Sequence, residues 1–459
     1  MAAGTAEAAR GGGGPGQEEL TALAAEAYVY GYPLVSGLSL VESCTQEGFG
    51  ALAPAPFNHF SHADRPERPD AYPGFGGGDT VCSAAQLDLS GGPLRLHVPD
   101  TGGAYYVLQF VDAWTNNFAY LGSRATGTGS GDWLIVPPGW AGEEPGGVRG
   151  VIDAPTAVVS LVGRIACDGP DDLPRVRALQ EQFSLTHVEP GTHRTGLPAP
   201  DTDVPERLAF FERLRVWTAD FPPAAADRAY QDRFQPLGLL EEGPSPYVSA
   251  GPALVRALAE GMTQGRARVV AAGRSGAPVG GGWEMDPHLH DYNLDRFEVG
   301  TIDSTEWKIS DREASYLVRA VAARQGLWGS HGYEVACAHT CQDSDGNRLH
   351  GAHSYVLRFE QPPPAGAFWT LTTSGSPESR PVGNPADRHA IGDRIPGLVR
   401  ADDGTLTVHI GGERPAGPAA VNWLPAPDGE FRPVLRLYTP GRAALDGSYA
   451  FPAVELRER

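Results

Sequence analysis

The sequence predicts a mainly β protein with a helical insert, and three stretches of the 459-residue chain carry that prediction. From about Thr80 to Val162, short β-branched and aromatic runs are divided by Gly, Pro and Asp, which is typical of an antiparallel sheet. The last third of the chain returns to the same rhythm. Between them, residues 205–273 and 311–329 place apolar side chains at helical spacing. A chain of this length exceeds one compact core, so we expect two domains.

The helical elements follow from periodicity and from their boundary residues. Residues 1–16 are rich in glycine and are expected to be disordered. From Leu20 to Tyr28, apolar residues share one helical face, and Gly31 and Pro33 then interrupt the pattern. Acidic residues and a proline near the first turn predict a further helix in DDLPRVRALQEQFSL.

The strands follow from short apolar runs that are bounded by turn-forming residues. The runs are LRLHVPD, AYYVLQFVDAW, DWLIVPP and TAVVSLVGRIA in the first β-rich part, and SYVLRFE, AFWTLTTSG, LTVHIGG and PVLRLYTP in the last. We therefore expect an N-terminal β-rich domain over residues 17–200, a helical segment and linker over 201–330, and a C-terminal β domain over 331–459.

The overall charge and the hydropathy exclude two classes of partner. The formal net charge of −20 leaves no basic stripe for nucleic acid and no attraction to an anionic membrane surface. No apolar stretch approaches the roughly 20 residues of a membrane span, and no signal peptide is recognisable. The five cysteines are too sparse for a disulfide framework. We expect a cytoplasmic protein without nucleic-acid or membrane partners, and the sequence leaves open whether it forms a homodimer.

A glycine-rich stretch, GSRATGTGSGDWLIVPPGW, raises the question of a phosphate-binding loop. Such a loop lies between a strand and a helix and ends in Gly-Lys-Ser/Thr. Here the stretch contains no lysine and a strand follows, so the sequence favours a wide hairpin whose glycines permit positive φ angles. No other motif indicates a nucleotide, and we expect no cofactor.

The segment FNHFSHADR concentrates groups that are suited to acid–base chemistry. His59 and His62 can act as acid or base near neutral pH, and the carboxylate of Asp79 can orient one imidazole. Asn58 lies beside them as a candidate contact to a substrate. The alternative is a surface or interface loop whose histidines cap turns.

A second set of candidates surrounds the glycine-rich stretch. Arg124 in the predicted hairpin can clamp a carboxylate, with Asp112 as its companion. The alternative is a structural ion pair. Trp114 and Asn116 can line a pocket, although aromatic residues in strands more often belong to a core.

The segment DPHLHDYNLDRFEVG offers a metal-binding alternative. His288 and His290 form a His-x-His pattern that can hold a divalent metal when alternate strand residues face one side. A third histidine would have to come from His350 or His353. Because the segment does not alternate apolar and polar residues, an exposed linker is the competing interpretation.

Several motifs occur in an order that resembles a known pair of domains. FNHFSHADRP, the stretch from GGDTVCSAAQL to LIVPPGW, and GRIACDGPDDLPRVRALQEQF resemble the domain of unknown function numbered 1254. GNRLHGAHSYVLRF, AFWTLTTSG, NPADRHAIGDR, DDGTLTVHIGG and NWLPAPDGEFRPVLRLYTP resemble its C-terminal companion, numbered 1214. The resemblance implies an N-terminal β-sandwich-like α+β domain, a helical insert and a C-terminal jelly-roll β-sandwich. It implies no particular reaction.

The first domain of this resemblance keeps part of its usual motif and changes the rest. In GGGDTVCS, Asp79 and Thr80 are kept, whereas Gly77 and Cys82 replace an Asn and a Tyr. These exchanges alter groups that are suited to touching a ligand. If the family shares a site, Thr80 is a candidate substrate contact and the site of this member has been retuned.

The second domain keeps its most marked polar positions. Asn384 and Arg388 occur in NPADRHAIGD, where His389 replaces a Tyr, and Asn422 and Trp423 match further on. Asn and Arg near a Trp suit a polar ligand, which makes Asn384, Arg388 and Trp423 candidate substrate contacts. The same residues equally suit hydrogen bonds that close loops.

These residues support three hypotheses about function. The first is a cytoplasmic enzyme of specialised metabolism that acts on a small polar metabolite by metal-independent hydrolysis, elimination or rearrangement. Its site would lie in the N-terminal β domain, with His59 or His62 as acid or base and Arg124 as anion clamp. The second is a non-catalytic carbohydrate-binding, metabolite-binding or scaffold protein. The third is a metal-dependent oxygenase or hydrolase that uses His288 and His290.

Overall fold

The computed structural model describes residues 15–66, 78–189, 194, 196–273, 276–375 and 390–457. Within these residues the protein is mainly β, because nineteen strands form four sheets and seven α-helices accompany them. The disorder predicted for residues 1–16 falls almost wholly on residues 1–14, which lie outside the described residues.

The bounds of the elements are as follows. The helices are α1 Gln17–Gln46, α2 Leu173–Gln180, α3 Ala209–Asp220, α4 Arg228–Asp232, α5 Pro252–Ala271, α6 Arg312–Gly326 and α7 Arg442–Leu445. The first nine strands are β1 Phe60–His62, β2 Thr80–Asp88, β3 Leu94–Val98, β4 Tyr106–Asp112, β5 Asn117–Gly122, β6 Gly131–Val136, β7 Val148–Asp153, β8 Val158–Ala166 and β9 Ser184–His187. The remaining strands are β10 Ala277–Gly280, β11 Trp283–Met285, β12 Val335–His339, β13 Tyr355–Phe359, β14 Ala365–Gly375, β15 Ala390–Gly392, β16 Leu406–Gly411, β17 Trp423–Pro425, β18 Phe431–Pro440 and β19 Val454–Leu456.

The chain divides into two compact units. One unit combines the chain up to Val35 with Pro198–Ala271 and contains helices α3, α4 and α5. The other combines Ser36–Leu197 with Ala272–Arg459 and contains all four sheets. The strands of both predicted β-rich domains therefore lie in one unit, whereas residues 17–35 of the first predicted domain belong to the other unit and the predicted helical segment 201–330 is shared between both.

Helix α1 continues through the two residues that were predicted to interrupt it. Gly31 is required for packing, because a Cβ atom there would lie 2.4 Å from side-chain carbons of Leu214 in α3. Pro33 removes one intrahelical hydrogen bond at a cost of about 3 kcal/mol, yet most residues of the surrounding turns are buried. Burial of the helix outweighs that cost, so the interruption expected at Gly31 and Pro33 was wrong.

The first β-rich part forms two sheets. Strands β1-β2-β8-β4-β5 form an antiparallel sheet, and β7-β6-β3-β9 form a second sheet in which only the β6–β7 pair is parallel. In the five-stranded sheet, Cys82, Arg164 and Val107 are directly opposite one another and share one face. Ser83 and Gly163 lie on the other face.

The last β-rich part also forms two sheets. One has the strand order β10-β11-β12-β18-β14-β15, and the other has the order β17-β16-β13-β19. A buried apolar cluster draws Trp369, Leu371 and Leu435 from the first sheet and Leu357, Val408 and Ile410 from the second. The main C-terminal core therefore lies between these two sheets.

A second aromatic cluster connects the two β-rich parts. It joins Tyr105 and Tyr120, which belong to the five-stranded sheet and its margin, to Phe368 and Tyr438 of the six-stranded sheet. The rings of Tyr105 and Tyr438 are 5.4 Å apart, and those of Phe368 and Tyr438 stack at 4.1 Å. This contact brings residues more than 200 positions apart into one place and positions the candidate site.

The glycine-rich stretch is not the wide hairpin that the sequence suggested. Strand β5 ends at Gly122 and pairs with β4, whereas β6 begins at Gly131 and pairs with β3 and β7 in the other sheet. Residues 123–130 therefore connect two sheets. Gly122 has a φ of 148°, and a Cβ atom there would lie 2.4 Å from the carbonyl oxygen of Tyr106, so this position requires glycine.

In the described part of the chain, every helix is too short or too polar to cross a lipid bilayer.

The contact between α1 and α5 yields a test of packing. A Cβ atom at Gly261 would lie 2.4 Å from the Cβ of Ala24 and 2.7 Å from the carbonyl oxygen of Thr21. We expect Gly261→Ala to lower the free energy of unfolding by about 1–3 kcal/mol through overpacking. In Gly326→Ala the added methyl meets nothing within 4 Å, so stability should stay unchanged or rise by at most about 1 kcal/mol. Thermal unfolding of both variants measures the difference, and equal midpoints would contradict the packing argument.

Candidate functional site

A cleft of ≈ 670 Å³ opens where the five-stranded and six-stranded sheets come together. Its lining includes Tyr105 and Phe368 from the aromatic cluster and three arginines, Arg124, Arg175 and Arg394. Asp168 is the acidic residue of this lining. The volume is typical of a site for a small molecule, and we call this feature the arginine cleft.

Arg394 is held from three sides. Its Nη1 donates to the carboxylate of Asp168 at 2.7 Å, and its Nη2 donates to the backbone carbonyl of Asp79 at 2.9 Å. The guanidinium lies 3.6 Å from the centroid of the Phe368 ring, which stacks on Tyr438 with its opposite side. A cation over an aromatic face is stabilised by the ring quadrupole, so Arg394, Phe368 and Tyr438 form one continuous stack.

Arg124 forms an ion pair with a buried carboxylate. Its Nε donates to Glu334 at 2.5 Å, and its Nη2 donates to the carbonyl of Gly300 at 2.5 Å. The side chain of Glu334 is 1% exposed and accepts a second hydrogen bond from the hydroxyl of Tyr105 at 3.0 Å. Burial and then the neighbouring charge of Glu334 raise the pKa of Tyr105 well above its ordinary value, so this phenol remains a neutral donor.

Arg124 also rests on an aromatic platform. Its guanidinium lies 4.8 Å from the ring centroid of Tyr333 and 5.8 Å from that of Tyr120. The hydroxyls of both tyrosines contact Nδ1 of the buried His331, at 3.0 and 2.9 Å. Burial lowers the pKa of His331 to about 3, with repulsion from His290 and Arg124 adding to the effect.

Arg175 occupies the cleft near the start of α2. Its guanidinium donates to Asp172, at 2.6 Å from Nε and at 2.5 Å from Nη2, and Nη2 also donates to the carbonyl of Ala166 at 2.9 Å. The hydrogen bond to Asp172 raises the pKa of Arg175. The three arginines are thus fixed in place by contacts behind or beside the cleft.

Asp79 reaches the site, but its carboxylate does not orient an imidazole. The carboxylate is buried and accepts hydrogen bonds from the hydroxyls of Thr370 and Tyr438, the latter at 2.8 Å. Its backbone carbonyl holds Arg394. Burial, followed by the charge of Asp79, raises the pKa of Tyr438 well above its ordinary value. Asp79 therefore ties the first β-rich part to the last.

The two candidate histidines lie elsewhere. His62 pairs in register with Ser83 and contacts its hydroxyl through Nδ1 at 2.8 Å, on the face of the sheet opposite to Cys82 and Arg164. Burial lowers the pKa of His62. Nδ1 of His59 contacts the carbonyl of Phe57 at 2.9 Å, and the residue lines a separate cavity of ≈ 10 Å³.

Asn58 and Thr80 are buried in the first β-rich part. The side-chain amide of Asn58 donates to the carbonyl of Asp88 at 3.1 Å and its oxygen accepts from the Asp88 amide at 2.8 Å, which fixes a residue with a φ of 63°. Thr80 lies opposite Ala166, a residue of the cleft lining. Cys82, at the replaced motif position, is buried and lies opposite Arg164 in the five-stranded sheet.

Asp112 and Asn116 close the turn between β4 and β5. Asp112 accepts from the backbone and side-chain amides of Asn116 at 2.8 and 2.9 Å, and burial raises its pKa to about 6. Trp114 is buried nearby. The strand register places this turn and Arg124 at opposite ends of the hairpin, since the 6 residues of β5 lie between them and span about 17 Å. Arg124 instead forms an ion pair with Glu334, which corresponds to the structural ion pair of the alternative interpretation.

The candidates in the last β-rich part have two outcomes. Asn384, Arg388 and the exchanged His389 lie outside the described residues, as does Gly77 in the first part. Trp423 is buried and donates from Nε1 to the carbonyl of Gly411 at 3.0 Å. This contact closes strand β17 against β16, away from the arginine cleft.

The metal-binding alternative finds two separately engaged histidines. Nδ1 of His288 contacts the carboxylate of Asp291 at 2.6 Å, which raises the pKa of His288, and Nε2 of His290 contacts the carbonyl of Gly326 at 3.2 Å. Among the described residues, no group of three or more His, Cys, Asp or Glu side chains is arranged to hold a metal ion.

Sequence reasoning missed the residues that complete the site. Glu334 carries no local motif, whereas Tyr438 lies within NWLPAPDGEFRPVLRLYTP as one residue of a predicted strand, and Tyr105 belongs to a run that is typical of a core strand. Arg394 is the last residue of the NPADRHAIGDR motif, and this membership is the one signal that could have drawn attention to it.

The buried ion pair can be tested by removing one partner. Arg124→Met leaves Glu334 buried without its counter-charge, and we expect the free energy of unfolding to fall by about 2–4 kcal/mol. The double variant with Glu334→Gln should recover most of that loss, because glutamine carries no charge. Denaturant titrations followed by circular dichroism measure both effects. A single variant as stable as the wild type would refute the importance of the pair.

The depressed pKa of His331 makes stability depend on pH. Its folded pKa of about 3 lies below the ordinary value of 6.5, so the unfolded chain binds a proton that the folded protein does not. The contribution of neutral His331 to the free energy of unfolding is fully present above pH 6.5. It is lost as pH falls toward 3, by about 1.4 kcal/mol per pH unit. Denaturation at pH 7, 6 and 5 should show a shallower dependence in His331→Gln than in wild type. Identical slopes would rule out this assignment.

Comparisons with known proteins identify two family models that match this chain. Residues 57–187 match the family model "Protein of unknown function (DUF1254)", and residues 334–442 match "Protein of unknown function (DUF1214)". A search of the curated proteins finds no match.

Two solved structures are similar to this chain. The VPA0106 protein from Vibrio parahaemolyticus has a TM-score of 0.72 and 23% sequence identity, and the match covers 96% of this chain and 100% of that chain. At this level of identity the similarity shows the fold alone. A putative uncharacterized protein from Burkholderia cenocepacia has a TM-score of 0.42 and 12% identity, covering 96% of this chain and 95% of that chain. The two family models match in the order that the sequence motifs predicted. The chain is therefore a two-domain protein with the domain of unknown function 1254 on its N-terminal side and the domain of unknown function 1214 on its C-terminal side.

Proposed function

We propose that this protein binds a small anionic metabolite in the arginine cleft. The observation that carries the proposal is the presence of Arg124, Arg175 and Arg394 in one lining of ≈ 670 Å³. A guanidinium presents N–H donors in a planar fork that matches a carboxylate or a phosphate. Because the three arginines are anchored by other contacts, little conformational freedom is lost when a ligand binds.

The charged groups of the cleft support an anion over a neutral sugar. Three cationic side chains and one carboxylate, that of Asp168, line the cleft, whereas the whole chain has a formal net charge of −20. Each of the three arginines pairs with one carboxylate, that of Glu334, Asp172 or Asp168, so the cleft is close to neutral while the whole molecule is strongly acidic. The guanidinium groups that line the cleft are the groups that an anion can contact.

The ionisable groups behind the cleft favour binding over catalysis, because they are occupied by hydrogen bonds or have pKa values that keep them protonated. Asp79 and Glu334 are engaged by hydroxyl and guanidinium donors, and the pKa values of Tyr105 and Tyr438 are raised, chiefly by burial. The acid–base enzyme expected from His59 and His62 stays a prediction, since neither residue is among those that line the cleft. The metal-dependent alternative likewise stays a prediction.

The finer features expected from the family resemblance belong to the same proposal. We retain a β-sandwich-like N-terminal domain and a jelly-roll C-terminal domain as the architecture around the cleft. A cytoplasmic location, homodimer formation and a role in specialised metabolism are retained as predictions.

The proposal is tested by calorimetric titration with acetate, succinate, citrate, benzoate and inorganic phosphate at constant ionic strength. We expect at least one anion to bind, and Arg394→Gln to weaken its binding about tenfold or more, because a charge-assisted hydrogen bond contributes roughly 1.5–3 kcal/mol. Arg358→Gln is the matched control, since Arg358 pairs with Glu455 on the surface and does not line the cleft. Equal affinity of the Arg394 variant and the control would refute the site, as would no binding of any probe.

A further inference from the structure

The carboxylate of Asp168 occupies the arginine cleft in the way a bound ligand would. It lines the cleft, its side chain is 51% exposed, and its oxygen lies 2.7 Å from Nη1 of Arg394. A carboxylate in this position makes the same charge-assisted contact that a ligand carboxylate would make.

We propose that Asp168 is an intramolecular competitor whose carboxylate holds Arg394 until the carboxylate of a ligand displaces it. This inference rests on the proposed function of the cleft and specifies the ligand class as carboxylates. It also assigns Arg394 as the residue that binds the ligand carboxylate and Asp168 as the residue that lowers the affinity of the cleft for that ligand.

The other acidic partners of the cleft arginines are not displaceable in this way. Glu334 is 1% exposed and is held by both Arg124 and Tyr105. Asp172 is 17% exposed, binds Arg175 through both of its oxygens and accepts from the backbone amide of Asp168. Asp168 is more exposed than either, so water can solvate its carboxylate when the contact opens.

Arg394 remains in place when Asp168 leaves. Its Nη2 is bonded to the backbone carbonyl of Asp79, and its guanidinium plane rests on Phe368. Neither contact involves Asp168. Rotation of the Asp168 side chain alone therefore exposes Nη1 in a fixed orientation, which is a preorganised site for an incoming carboxylate.

The need to displace Asp168 lowers the affinity of the cleft for a ligand carboxylate. A ligand gains the contact at Nη1 but must first break the existing ion pair and approach the like charge of Asp168. Asp168→Asn removes both penalties with little change of shape. From the strength of exposed ion pairs and of screened charge repulsion, we expect carboxylates to bind about three- to tenfold more tightly to this variant.

The experiment is a calorimetric titration of the full chain with succinate and, separately, with inorganic phosphate. The matched control is Asp171→Asn, which removes the same charge from an exposed position that does not line the cleft. Succinate should bind more tightly to Asp168→Asn than to wild type, while the Asp171 variant stays close to wild type. The double variant Asp168→Asn, Arg394→Gln should lose the gain, which a general effect of net charge would not explain.

Failure of this inference can be told apart from failure of the proposed function. If wild type binds succinate, Arg394→Gln weakens that binding, and Asp168→Asn binds no tighter than Asp171→Asn, the competitor role is overturned and the cleft function stands. Tighter binding of phosphate than of succinate to the wild type overturns the assignment to carboxylates. If neither probe binds wild type or Asp168→Asn, both proposals fall.

Discussion

The arrangement of the two β-rich parts depends on one buried carboxylate. Asp79 precedes the first long strand, and its oxygens accept from Thr370 and Tyr438, which lie 291 and 359 residues further along the chain. A buried anion is costly unless its hydrogen bonds are satisfied, so this carboxylate specifies where the strands β14 and β18 must lie relative to it. The same residue holds Arg394 through its backbone carbonyl. Fold and cleft are therefore specified by one residue with two polar functions.

The aromatic cluster gives that polar contact a dry environment. Tyr105, Phe368 and Tyr438 pack against one another, and the carboxylates that the two tyrosine hydroxyls contact, Asp79 and Glu334, are both buried. Interactions between charges and hydrogen-bonding groups strengthen when water is excluded. The ring of Phe368 contacts both the buried ring of Tyr438 and the guanidinium of Arg394 in the cleft wall. The position of Arg394 therefore depends on the packing of the buried rings behind it.

Local patterns in the sequence predicted individual elements better than their pairing. The run TAVVSLVGRIA is strand β8 and the stretch after Gly251 is helix α5, because alternation and helical periodicity are properties of neighbouring residues. Pairing is not local: β5 and β6 are separated by eight residues but belong to different sheets. Pro33 shows the same limit in a helix, since burial of the surrounding turns overrides its preference.

The site was predictable only in part, for a related reason. Asp79 and Arg124 were chosen for their chemistry and both reach the cleft region, but their partners Tyr438 and Glu334 are 359 and 210 residues away and no spacing reveals them. His59 and His62 are close in sequence to other polar groups, yet strand alternation turns His62 to the opposite face from Arg164.

The walls of the arginine cleft come from both matched domains. Arg124 and Arg175 belong to the first, and Phe368 and Arg394 belong to the second. Neither domain on its own encodes a complete cavity, so natural selection for a bound metabolite would act on the two coding segments jointly. Gene fission, or recombination that exchanged one of the two segments, would produce polypeptides that each lack part of the cleft lining.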